Sequence, residues 1–310
     1  MDNKFKLKDL PSLLKWTYKE WMADDAFGKA AAVAYYAVFA MPGFLIMVIF
    51  IAGFFISEES ATGAITEQVS EMMGEKTANN IESILSKSQI DEQKFGAAAI
   101  SVISLIFGAT GVFFQLQKSL NNIWEVQKKP NSGIKQMLLD RIASMGIIIV
   151  VGFLLLLSLS LSAMISVLAN WLSETFSTNM MIITVLGEFL LSLFIVTLLF
   201  AAIFKVLPDV IIHWKSVWIG ALITALLFSL GKWLIAYYLS ETNPESSFGA
   251  SGALILILLW VSYSCLILFF GAEFTQVFTY KYGYEIRPSE YAEYTPEYIL
   301  KHTDEYQTID

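Results

Sequence analysis

Three ionisable side chains stand in apolar surroundings. Lys232 lies inside FSLGKWLIAYYL (228–239), Glu188 inside VLGEFLL (185–191) and Glu273 inside FFGAEFT (269–275). A lysine or carboxylate at the centre of a membrane helix costs about 2.5–3.5 kcal/mol on insertion scales, so it finds a partner, snorkels outward or serves a pathway. A short link around Pro208 makes the segments carrying Glu188 and Lys232 antiparallel neighbours. At a rise of ~1.5 Å per residue both positions fall roughly 27 Å from that link, at one level nearer the outer face. One reading is a buried ion pair that fixes two helices. The other is an outer cavity where Lys232, a point-charge binder, attracts a phosphate or carboxylate and Glu188 competes for it. Glu273 belongs to the inner level, together with Gln115, Gln117, Lys118, Tyr35 and Tyr36. Such a cluster is either an interhelical hydrogen-bond network or an inner substrate or proton site, and polar groups at two levels suit alternating access.

Covalent and metal chemistry have little to work with. The chain has two histidines, His213 and His302, neither with a ligand-spaced neighbour, and one cysteine, Cys265. GASG from Gly249 lacks the lysine that a phosphate-cradling loop requires. The expectation is therefore no enzyme, no catalytic residue, no metal and no cofactor.

Residues placed this way need elements of membrane length. Of the 310 residues 56% are hydrophobic and 15% charged, and the mean hydropathy is +0.59. The apolar residues gather into runs near the ~20 residues a bilayer-spanning helix needs. They fall at about 30–56, 95–116, 142–169, 180–207, 217–239 and 250–280. Backbone groups in lipid must be satisfied within the segment, so these read as six transmembrane helices of an all-α membrane protein. Lysine and arginine crowd the N-terminal segment, the connections after spans two and four, and the C-terminal tail, while the opposite loops are poor in them. By the positive-inside rule both termini are cytoplasmic. The first span lacks a small-residue cleavage site at its end and is expected to stay as an anchor.

The domains follow. Residues 1–29 are a cytoplasmic segment in which DLPSLLKWTYKEWM forms an amphipathic helix, N-capped by Asp9, on the membrane surface or packed on the protein itself. Residues 30–280 are the six-span domain, with short helices in an outer loop at about 58–94. Residues 281–310, acidic and tyrosine-rich, are expected as a mobile cytoplasmic tail. Pro42 and Gly43 in span one mark a bend, static or a hinge. Small residues at helical spacing, Ala30/Ala34, Gly220/Thr224 and Gly249/Ala253, allow close helix packing and contacts in a homodimer or higher homo-oligomer.

Four stretches carry a resemblance: AAAVAYYAVFAMPG (30–43), NNIWEV (121–126), KVLPD (205–209) and SSFGASGALILILLWVSYSCLILFFGAEFT (246–275). Over roughly residues 15–285 the chain resembles the YihY family of bacterial inner-membrane proteins, also called BrkB. The resemblance implies a multi-pass protein of the inner membrane. Family labels include virulence and serum resistance, a tRNA-processing ribonuclease, and export of a lipopolysaccharide precursor lipid. The ribonuclease label does not suit this sequence, which lacks clustered metal ligands and a basic, aromatic-studded surface for RNA. The expected function is a transporter translocating a lipid or amphipathic anionic molecule. The alternatives are a carrier of a small soluble solute or a non-transporting envelope scaffold. Membrane lipids are the expected partners and nucleic acid is not.

Overall fold

A computed structural model describes residues 7–52, 111–130, 179–242 and 252–300, with single positions and short runs between 57 and 83. The elements in chain order are α1 (Leu10–Ala23), α2 (Ala26–Ala52), α3 (residues 111–123), β1 (Val126–Lys128), α4 (Asn179–Val206), β2 (Val210–Ile211), α5 (Trp214–Thr242), α6 (Gly252–Lys281), β3 (Arg287–Pro288) and β4 (Ala292–Tyr294). Three of these helices are long and apolar enough to cross a membrane, over Phe189–Val206, Trp214–Ile235 and Leu254–Lys281. Ala26–Ala40 is a shorter apolar helix. The segment expected as span three, and the outer part of span two, lie outside the described residues. The positions described between 60 and 83 are helical.

The long helices form where the apolar runs are, since burial of backbone groups leaves an intrasegment ladder as the workable state. Helix α6 is the hub, packing on α1, α2 and α5, while α4 packs on α5. Two crossed contacts set how closely α5 and α6 approach. Thr275 lies against Gly220 and Thr224 against Gly271, and a Cβ on either glycine would overlap the threonine hydroxyl. Each threonine turns that hydroxyl back on its own helix: Thr224 Oγ1 donates to the Gly220 carbonyl and Thr275 Oγ1 to that of Gly271, both at 2.7 Å. The Gly220/Thr224 spacing thus serves packing within the chain. Ala30 and Ala34 of α2 are also buried, and Gly249/Ala253 lie outside the described side chains.

The largest cluster of described buried residues lies toward one end of the helices, here the capped end. Its core joins Trp124, Phe200, Phe204, Val217, Ala221, Phe269 and Ala272. Three connections close over it. β1 pairs antiparallel with β4, Val126 facing Tyr294, and β2 pairs with β3, Val210 facing Pro288. Ser289 N–H donates to the Asp209 carbonyl at 2.9 Å, and Thr295 N–H to that of Glu125 at 2.9 Å. The segment expected as a mobile tail therefore supplies both returning strands. Its order comes from pairing with loops far away in sequence, which composition alone does not reveal.

Helix α1 docks by one face and leaves another open. Leu13 and Thr17 are buried, and Trp21 Nε1 donates to the Leu266 carbonyl at 3.1 Å. Trp16, Tyr18 and Met22 remain exposed. Asp9 precedes the helix without capping it by its side chain. Its carboxylate is engaged elsewhere, accepting from the Tyr282 hydroxyl at 2.9 Å and lying 3.9 Å from Lys281 Nζ. Pro42 and Gly43 sit inside the continuous helix α2, with their surroundings outside the described side chains.

Candidate functional site

Polar groups gather at two places in the capped end, and a third group stands alone. The first place surrounds Glu273, which is 1% exposed. Helix α6 turns this carboxyl toward the joint between α1 and α2, where its charged neighbours are Asp24, Lys29 and Glu20. The joint is tight: Asp25 has a left-handed backbone (φ 51°) and its carboxylate accepts from Gly28 N–H at 3.2 Å, which starts α2. Lys29 reaches back to Asp24, donating to its carbonyl and lying 3.4 Å from Oδ2. Glu273 Oε1 accepts no hydrogen bond from an N–H or hydroxyl among the described residues. The Glu273 side chain is, however, hydrogen-bonded to that of Asp24, so the two carboxyl groups meet beside Lys29, which is itself paired with Asp24.

The second place joins the ends of α3 and α4. Asn121 exchanges two hydrogen bonds with Asp209, its Nδ2 donating to Oδ2 at 2.7 Å and its Oδ1 accepting from the Asp209 N–H at 2.8 Å. Gln117 Nε2 lies 3.4 Å from both Asp209 oxygens, and Lys128 Nζ donates to Gln117 Oε1 at 3.3 Å and approaches Asp209 at 4.0 Å. This reciprocal pairing locks α3 to the α4–β2 turn.

The third is Lys232 on α5. It is exposed, and so are its neighbours Leu230, Trp233, Leu234 and Tyr237. The adjacent Gly231 is buried against the Tyr263 hydroxyl, where a Cβ would not fit. That contact fixes which face of α5 turns inward and leaves Lys232 on the outward apolar surface. α4 and α5 are packed neighbours, but the side chain of Glu188 lies outside the described residues.

The other expected site residues separate. Gln115 is half-buried and Lys118 exposed. Tyr36 packs on Gly111, and Tyr35 is exposed with its ring against Tyr36 and Phe39. Among the described residues no hydrogen bond or ion pair joins Glu273 to any of these four. The reason is rotational: on α6 the Glu273 face is the one covered by the α1–α2 joint. Sequence alone does not single out Asp24, Lys29, Asn121 and Asp209, because charged residues and amides at loop edges look solvated. A usable signal was present in NNIWEV and KVLPD, whose polar residues meet each other. Among the described residues no group of three His, Cys, Asp or Glu is placed to hold a metal.

Long apolar helices closed at one end by short ladders, with ionisable residues within the apolar lengths, define a multi-span helical membrane protein. A model of the Virulence factor BrkB family matches residues 17–294, and the chain belongs to that family. Among curated relatives, the UPF0761 membrane protein of Tolumonas auensis is 29% identical over 178 residues, covering 57% of this chain and 56% of that one. The UPF0761 membrane protein of Alteromonas mediterranea is 28% identical over 183 residues, 57% of this chain and 58% of that one. That of Xanthomonas axonopodis pv. citri is 22% identical over 267 residues, 84% of this chain and 59% of that one. The matches thus span little more than half the length of these relatives. No solved structure matches.

Proposed function

We propose that this chain is a transporter of the bacterial inner membrane that translocates a lipid or amphipathic anionic molecule between leaflets. The observation that carries the reading is Lys232, a cation exposed on the outward apolar face of α5. A soluble anion needs its binding cation in an enclosed aqueous route. An amphiphile reaches a cation on the outer surface of the helices sideways, from the bilayer, with its acyl chains still in lipid. The closed core at the other end is consistent with a protein that separates two sides. In this reading the six-span arrangement holds, the capped end faces the cytoplasm, no covalent chemistry is involved, and Glu273 with Lys29 forms an inner polar site.

A photoreactive anionic phospholipid in bilayers tests the site. Its crosslinks are expected within residues 228–239, several-fold fewer in Lys232→Ala and retained in Lys232→Arg. Crosslinks spread evenly over the helices, unchanged by Lys232→Ala, would count against lateral entry and favour a soluble solute or a scaffold.

A further inference from the structure

Helix α1 runs antiparallel beside the inner part of α6. At its start Asp9 and Ser12 meet Tyr282 and Lys281. At its end Trp21 donates to the Leu266 carbonyl and sets its ring 6.0 Å from that of Phe270. Lys281 to Leu266 is ~22 Å of helix at ~1.5 Å per residue. Helix α1 thus leads from the charged end of α6 into the apolar length Leu254–Lys281 that is able to cross a membrane.

Its inward face is filled, Leu13 packing with Phe274 and Phe278 of α6. The outward face is open. Lys15, Tyr18, Lys19 and Met22 stand at i, i+3, i+4 and i+7, so they form one stripe, and all four are exposed. The ion pairs of lysine among the described residues belong to Lys29, Lys128 and Lys281, and neither Lys15 nor Lys19 has an acidic partner there. Exposed Phe27, its ring 5.1 Å from that of Trp21, carries the apolar surface onto α2.

The stripe is graded along the helix. Side chains lean toward a helix's N terminus, so both ammonium groups reach back toward the charged end of α6. Met22 and Phe27 flank Trp21, at the level of the apolar length. Cations above and aromatic or apolar side chains below match a phospholipid at the edge of a bilayer, phosphate outward and acyl chains inward. A soluble anion would use the cations alone, and a protein partner would need no such grading. We propose that the outward face of α1 is a docking site for an anionic phospholipid, its phosphate held by Lys15 and Lys19 and its acyl chains laid along Tyr18, Met22 and Phe27. The inference does not rest on translocation: a chain that only bound the lipid would satisfy it.

The test uses the full chain with Lys232→Ala in every sample, which silences the site of the proposed function. The protein is released from nanodiscs holding equal phosphatidylglycerol and phosphatidylcholine, and the retained lipid is read by mass spectrometry. Phosphatidylglycerol should be enriched several-fold. The enrichment should fall about fivefold for each lysine replaced in Lys15→Gln and Lys19→Gln, and Lys15→Arg with Lys19→Arg should keep it. Tyr18→Ser with Met22→Ser, which leaves the charge unchanged, should lower the retained phosphatidylglycerol several-fold. These side chains are exposed, so thermal midpoints in detergent should match the parent's. Enrichment that survives loss of both lysines overturns the proposal. Lysine-dependent enrichment that the Tyr18 and Met22 changes leave intact overturns it in favour of a soluble anion. A dimer mass that those changes abolish, without lipid enrichment, overturns it in favour of a second copy of the chain.

Discussion

Glu273 is buried at the α1–α2 joint within the influence of Asp24, Lys29 and Glu20, and Lys29 is paired with Asp24. Removing one partner from a buried charge cluster is costlier than removing the cluster, because the remaining charges keep their desolvation penalty. Lys29→Met is therefore expected to lower stability by about 3 kcal/mol, read from denaturant unfolding in detergent. Glu273→Gln alone should cost far less, and combined with Lys29→Met it should recover part of the loss. Strict additivity in that double-mutant cycle would mean the two side chains do not interact. Lys232 poses the opposite case. It is exposed among apolar neighbours, where a flexible stem lets the ammonium seek a polar level. Its replacement should change stability little, so any loss of function in Lys232→Ala would report on a ligand rather than on the fold.

At the level of elements, the crossed Gly220–Thr275 and Gly271–Thr224 contacts set the distance between α5 and α6. A large side chain at Gly271 must push the helices apart through a packed core. Gly271→Leu should destabilise by about 1–3 kcal/mol and lower the thermal midpoint in detergent, whereas Gly187→Leu, on an open surface, should leave it near the parent's. Helix positions were legible from hydropathy: 180–207, 217–239 and 250–280 as read against Asn179–Val206, Trp214–Thr242 and Gly252–Lys281 as built. Helix facing was less so. Long apolar helices carry almost no amphipathic signal, so the rotation of α6 that sends Glu273 to Lys29 rather than toward Gln115 and Lys118 was hidden. The ladders were hidden too. Strands of two or three residues are too short for an alternating pattern, and β1 and β4 meet only because the helices between them return to the same end. Asp9 looked like a helix cap, yet its carboxylate serves Tyr282 and Lys281 across the fold.

At the scale of the whole molecule, lysines and the small ladders meet at one end of the described helices. The capped end holds Lys29, Lys128, Lys205 and Lys281 and both of the small ladders. The orientation proposed from the positive-inside rule puts that end in the cytoplasm. A fluorescent protein fused after residue 310 should then fluoresce in cells, and an alkaline phosphatase inserted at residues 243–251 should be active. The reverse pattern would invert the topology. Lys232 lies toward the other end of α5, exposed among apolar side chains. Movement of a labelled anionic phospholipid between the leaflets of proteoliposomes, read by quenching of the outer-leaflet label, tests the central claim most directly. The parent protein should expose the inner pool faster than empty vesicles do, Lys232→Ala should fall back toward the empty-vesicle rate, and Lys232→Arg should keep most of the gain. Equal rates for the parent and for empty vesicles would contradict lipid translocation and leave Lys232 without a transport role.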